Sequence, residues 1–285
     1  MQLASRFGKN ARVLRSSVAL DDDAIRAVAP SIFAEAAHGS RSERYSYIPT
    51  SSVLAKLRKE GFQPFMVAQT KTRLEDRTDF TKHMLRLRYA GDIAKGEANE
   101  VILLNSHDGT SSYQMLAGMF RQVCQNGLVC GEIVEDVRVR HKGDISGEVI
   151  EGAFTILDGF GKVEAAKGEM KALSMGREEA ELFGKAALSL KYGEGENGES
   201  AAPVTPAQVL RARRWEDEGS DLWSVFNRTQ ENLLQGGLRG RGENGRRVTT
   251  RGVSGIDTGI KLNRALWMLA EGMKGLKTGQ PLTVN

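Results

Sequence analysis

The alternation of apolar and polar positions divides the first half of the chain into one helix, a strand hairpin, a third strand and a second helix. Val53, Leu54 and Leu57 lie on one side of a helical turn, Thr50 or Ser51 can cap it, and Gly61 ends it. Residues 64–73 read as a strand and residues 81–90 as its hairpin partner across a polar connection. In the second strand a period of two places Lys82, Met84, Arg86 and Arg88 on one face, and His83, Leu85, Leu87 and Tyr89 on the other. In the first, Gln69, Lys71 and Arg73 share a face. Residues 101–104 are a short run of branched apolar side chains, which predicts a buried third strand. Asn105-Ser106-His107-Asp108-Gly109 interrupts it with turn chemistry. Beyond the turn, Met115, Met119 and Val123, or Leu116 and Phe120, recur every four residues. This spacing predicts a helix over 111–125, stopped by Asn126-Gly127 and packed on the apolar face of the three strands.

The second half is mostly helical. Residues 129–141 alternate around Ile133, Val137 and Val139 and predict a fourth strand. From residue 146 the period becomes helical, with Val149, Ile150, Ala153, Phe154 and Leu157 in one stripe that continues to Met170; residues 177–190 form another helix. Residues 192–202 are a Gly/Glu loop. Thr205-Pro206 opens a further helix, and Asp257 can cap a last one bearing Ile260, Leu262, Leu266, Trp267 and Leu269. Near the N-terminus, Asp21-Asp22-Asp23 can cap a short helix. The expected organisation is an N-terminal arm (1–44), an α+β core (45–192), a flexible loop (193–204), and a helical C-terminal region with an Arg/Gly-rich loop (205–285). The fold class is α+β: an antiparallel β-meander flanked by helices, followed by a mostly helical C-terminal part.

Composition narrows the functional classes. At 285 residues, 40% hydrophobic and 27% charged, the chain can bury a sizeable core. No apolar run approaches the ~20 residues of a membrane helix, and the first residues lack the apolar stretch of a secretory signal. Cys124 and Cys130 make no disulfide framework, so they read as buried free thiols and fit a reducing, cytoplasmic setting. A net charge of +4 admits an anionic partner.

Two basic stretches are candidate sites. Lys71, Arg73, Lys82, Arg86 and Arg88 would line one face of the strand hairpin and track a phosphate backbone, with Tyr45, Tyr47 and Tyr89 nearby; a solvated outer sheet face accounts for the same pattern. Residues 236–255 carry Arg239, Arg241, Arg246, Arg247 and Arg251 among glycines, where guanidinium forks can meet phosphate; a flexible surface loop accounts for the stretch equally well. That stretch lacks the Gly-Lys-Ser/Thr ending of a nucleotide-binding loop. His107-Asp108 has no partners at metal-ligand spacing and reads as a turn. Glu132, Glu135 and Asp136 could hold a metal, but a charged strand face explains them as well; no nucleophile motif appears, so neither catalysis nor a metal or cofactor is expected. Trp215, Trp223 and Trp267 read as core. Asn227, Arg228, Gln230, Asn232, Asp257, Asn263 and Arg264 suit either a ligand surface or a buried polar network.

Residues 105–109 with Phe120-Arg121-Gln122-Val123-Cys124-Gln125-Asn126-Gly127-Leu128, together with the 226–237, 240–241, 249–251, 255–257 and 262–267 stretches, resemble the phage/plasmid-like protein family built on the domain of unknown function numbered nine-three-two. The resemblance covers nearly the whole chain and implies a mobile genetic element as its setting. A fainter, topological likeness rests on the order helix, three-stranded meander, helix. It is similar to the Rad fifty-two-type single-strand annealing proteins. Together these give the expectation of a cytoplasmic protein that binds single-stranded nucleic acid, assembles as a homo-oligomeric ring or filament and promotes strand annealing, without a membrane partner. The alternative is an interaction protein acting against a host defence nuclease.

Overall fold

In the computed structural model the described residues are 2–4, 11–41, 47–92, 97–121, 126–130, 137–138, 145–194, 200–242 and 244–279. Their class is α+β, as the sequence pattern implies. The sheet strands are β1 (Gln2–Ala4), β2 (Ala11–Ser16), β3 (Phe62–Thr70), β4 (His83–Tyr89), β5 (Glu97–Asn105), β6 (Gln114–Arg121) and β7 (Asn126–Val129), each bonded antiparallel to the next. β8 (Val137–Arg138) also bonds to β6. β5 occupies one edge of β6, while β7 takes its Gly118–Arg121 end and β8 takes Gln114 and Met115. The meander is therefore wider than the three strands expected, and β2, from the presumed N-terminal arm, pairs with β3.

Local chemistry explains the elements around the sheet. Asp21 caps α1 (Asp22–Val28), its Oδ1 accepting from the Ala24 N–H at 2.8 Å. α2 (Thr50–Lys59) buries Val53, Leu54 and Leu57 and is followed by Gly61 at φ +91°, a conformation that suits glycine. In β3 the register against β4 shifts between Pro64 and Met66, so Phe65 is the extra residue of a bulge; Pro64, lacking an N–H, is well tolerated there.

The 111–125 segment corrects the sequence expectation: β6 replaces the predicted helix. Met115, Leu116, Ala117 and Met119 are all buried, because both faces of this strand are covered. A strand buried on both sides is apolar at every position, so a four-residue spacing can be picked out of it without any helical stripe. The same finding removes the last element of the helix–meander–helix order on which the Rad fifty-two likeness rested. Of the expected fourth strand, 137–138 is seen as β8, and the rest of 131–141 lies outside the described residues, along with Glu132, Glu135 and Asp136.

The chain divides into two compact units. The first comprises Met1–Val129, Ile133–Phe160 and Ser254–Ile256, and the second Cys130–Glu132, Gly161–Val253 and Asp257–Asn285. The helices are α3 (Ile145–Ala172), α4 (Arg177–Tyr192), α5 (Pro206–Val209), α6 (Leu222–Gln235) and α7 (Ile256–Thr278); β9 (Arg239–Arg241) and β10 (Arg247–Thr249) form a separate hairpin between the last two. Thr205 and Gln208 form a capping box at α5, and Asp221 caps α6 through the Ser224 N–H at 3.0 Å. The second unit's core contains Trp223, Phe226 and Trp267, with ring centroids 5.6–6.3 Å apart. Asp257 lies within the first turn of α7 rather than ahead of it.

Candidate nucleic-acid interface

The first basic stretch does not form one solvent-facing stripe. Arg86 and Arg88 are buried, and Glu100 on β5 serves both: Arg86 Nε donates to Oε2 at 2.5 Å and Arg88 Nε to Oε1 at 2.9 Å. The Arg88 guanidinium also lies 4.3 Å from the centroid of the Phe65 ring, over the bulged residue of β3. Gly118 on β6 leaves space for Arg86, since a Cβ there would approach its Nη2 to 2.8 Å. β4 is an interior strand, and buried guanidiniums require a carboxylate and hydrogen bonds, which this arrangement supplies. Lys71 and Arg73 are exposed just past the end of β3, and Lys82 is half-buried ahead of β4. Tyr47 and Tyr89 are half-buried, Tyr89 against Phe62; Tyr45 lies outside the described residues.

The second basic stretch folds into a presented surface. In the β9–β10 hairpin Arg241 pairs with Arg247, Gly240 with Val248, and Arg239 with Thr249. The turn is tight: Gly242 N–H donates to the Arg246 carbonyl at 2.9 Å, Gly245 N–H donates to the Gly242 carbonyl at 2.8 Å, and Gly245 has φ +71°. Gly240 sits against residue 203, where a Cβ would come within 1.8 Å of the Pro203 carbonyl oxygen, and the Arg241 N–H donates to that oxygen at 2.9 Å. Side chains alternate along a strand, so Arg239, Arg241, Arg247 and Thr249 project from the face opposite the Gly240 contact. With Gly240 and Val248 they line an open hollow of about 580 Å³. Arg239, Arg241, Arg246, Arg247 and Arg251 are all exposed, and among the described residues none has a carboxylate in ion-pair contact.

The polar residues of α6 fix the base of this hairpin. Arg213 donates to Asn232 Oδ1 at 2.6 Å, Gln235 Oε1 at 2.9 Å and the Gly236 carbonyl at 2.5 Å. Arg214 meets Glu231 at 2.5 Å, and Asn232 Nδ2 donates to the Val209 and Arg211 carbonyls at 2.8 and 2.9 Å. Gln230 donates to Asn263 at 2.8 Å. Lys191 Nζ donates to the Leu233 and Arg251 carbonyls at 2.5 and 3.0 Å, and burial lowers its pKa to about 8. Of the residues for which the sequence left two readings open, Asn227, Gln230, Asn232 and Asn263 are buried, Arg228 and Arg264 are half-buried, and Asp257 is exposed. Trp215 departs from expectation: it is 77% exposed, whereas Trp223 and Trp267 are core. The sequence carried a signal for this, since positions 211, 212, 218 and 219 are Arg, Ala, Glu and Gly and offer no large apolar partner at helical spacing.

The His107-Asp108 segment is a structural turn. Asp108 Oδ1 accepts from the Thr110 N–H at 3.0 Å and its hydroxyl at 2.6 Å, and the His107 and Asp108 N–H groups both donate to the Phe80 carbonyl. Beneath it runs a buried hydrogen-bond chain. Asn105 Nδ2 donates to Thr50 Oγ1 at 3.0 Å, Thr50 Oγ1 lies 2.9 Å from His83 Nε2, and His83 Nδ1 lies 2.9 Å from Ser31 Oγ, which donates to Gln69 Oε1 at 2.9 Å. Burial, with His107 nearby, lowers the His83 pKa to about 3, so the ring is neutral. A proton on Nδ1, 3.2 Å from the Thr81 carbonyl, leaves Nε2 to accept from Thr50 and gives the whole chain one donor direction. Cys130 is buried, and Cys124 lies outside the described residues.

The model of a family described as a domain of unknown function, DUF932, matches residues 37–267. The UPF0380 protein YfjQ of Escherichia coli (strain K12) is 53% identical over 270 residues, covering 95% of this chain and 97% of the relative. The UPF0380 protein YafZ of the same strain is 52% identical over 272 residues, with the same coverage. No solved structure matches the chain significantly.

Proposed function

We propose that this chain, which belongs to the DUF932 family, binds nucleic acid through the phosphate backbone, with the β9–β10 hairpin as the contacting element. One observation carries the reading: Arg241 and Arg247 stand opposite each other in register, exposed, with no carboxylate paired to either among the described residues. Like charges directly across a strand pair oppose each other, and a polyanion laid over them relieves that repulsion. Guanidinium groups suit this role because their planar fork matches phosphate oxygens. Gly240 allows the hairpin's other face to rest against Pro203, so the arginines are presented at a fixed place. Binding of this kind needs positioning and charge, and no bond-breaking residue enters it.

Fluorescence polarisation with a labelled oligonucleotide across a salt series tests the proposal. Three arginines neutralising three phosphates give a slope of log affinity against log salt of about −2 on a single strand. Arg241→Glu/Arg247→Glu should abolish binding while leaving the circular dichroism spectrum unchanged. Absence of binding at low salt, or equal binding by the double variant, would overturn it.

A further inference from the structure

We infer that Trp215 is a base-stacking site, and that the nucleic acid held by the hairpin is therefore single-stranded. This inference rests on the phosphate-binding reading of the hairpin and adds a second contact of different chemistry. Trp215 is 77% exposed although it is the largest apolar side chain the second unit could have buried, and the same unit encloses Trp223 and Trp267. The backbone on either side of it is tied down. It opens a 3₁₀ turn, Trp215–Asp217, held by Arg228, which donates to the Asp217 and Gly219 carbonyls at 3.0 and 2.7 Å. On the other side Arg214 is tied to Glu231 and Arg213 to Gly236. Buried polar groups on α6 thus hold an indole in solvent.

The turn also lies on a segment fastened to the hairpin. Gln208 Nε2 donates to the Arg239 carbonyl at 2.7 Å, and Arg213 reaches Gly236, whose neighbour Gly237 donates to Thr250 at the hairpin's base. Arg211, exposed between these two ties, adds a cation on the way to Trp215. Glu216 and Glu218 are exposed beside the indole and disfavour a phosphate there. The group that fits Trp215 is consequently a nucleobase, with the phosphates directed to the arginines. Every base has a π-face, so such a contact tolerates sequence but requires an unpaired base, because the faces of a duplex are already stacked.

Intrinsic fluorescence of the full chain tests this directly. Iodide should quench the exposed Trp215 and spare the two core tryptophans. A thymidine oligonucleotide at low salt should quench the same component and shield it from iodide. Trp215→Ala should weaken binding of that oligonucleotide about tenfold, on the scale of one lost stack, while affinity for a duplex or for an abasic strand of equal length stays as in the wild type. Trp215→Phe should recover most of the loss. If Trp215→Ala binds the thymidine strand as tightly as the wild type, the stacking site is wrong and the hairpin reading stands. If the wild-type chain binds none of the three ligands, both readings fall, and the exposed indole is left as a contact for a protein partner.

Discussion

Glu100 lies directly across β4–β5 from Arg88 and also accepts from the Nε of Arg86, so one buried carboxylate is shared by two buried guanidiniums. Removing it by Glu100→Ala takes the shared carboxylate from two buried cations and should cost about 3–5 kcal/mol, read as a lower urea midpoint. Oligonucleotide affinity of the remaining folded protein should not change. Charge reversal at Arg86 and Arg88 should likewise unfold the chain rather than selectively remove a ligand contact. A folded Arg86→Glu/Arg88→Glu protein that had lost only binding would contradict this assignment.

His83 makes stability depend on acid. Unfolded, its ring takes a proton near its ordinary value of 6.5, whereas in the fold burial and His107 hold it down to about 3. Between these values the unfolded chain binds a proton that the folded chain does not, so stability falls as pH drops from 6.5 towards 3. At 1.36 kcal/mol per pH unit the loss by pH 5 is about 2 kcal/mol from this residue. His83→Gln should be less stable than the wild type at pH 7, with the gap narrowing by about that amount at pH 5 in urea titrations.

Gly240 tests whether the hairpin's seat matters separately from its charge. A methyl group there meets backbone, not a yielding side-chain end. Gly240→Ala should lift the hairpin from residue 203 and reduce oligonucleotide affinity severalfold with all five arginines still present. Undiminished affinity would mean that placement contributes nothing.

Arg247→Glu should move two observables in opposite directions. It converts the like-charged pair with Arg241 into an attractive one, so the melting temperature should rise slightly, while oligonucleotide affinity falls. A parallel loss of both would point to a fold defect instead.

What the sequence disclosed followed the strength of its periodicity. α2, β3, β4, α3 and α4 came close to their expected bounds, because each carries a one-sided apolar stripe or clear turn residues at its ends. β6 mimics a helix in sequence because a strand covered on both faces has no polar phase to reveal its period. The burial of Arg86 and Arg88 is hidden for a related reason: alternation assigns a face but does not say whether another layer covers it, and Glu100 lies twelve or more residues away along the chain. The Arg/Gly stretch stands out by composition, yet its contact at Pro203 depends on a segment more than thirty residues earlier. For Trp215 residue type points to the core, whereas its polar neighbours at helical spacing point to the surface position it takes.

The room that Gly118 leaves for Arg86 has a consequence for how such sequences diverge. A side chain at 118 would collide with Arg86 and with Ile102, at 2.8 and 2.7 Å, and any change at 86 or 88 alters what Glu100 must neutralise. Positions 86, 88, 100 and 118 should therefore change as a set. Among descendants of this chain, a larger residue at 118 should arrive together with a shorter one at 86, and loss of the acid at 100 with loss of both arginines, through intermediates that pass quickly because each single step is unstable.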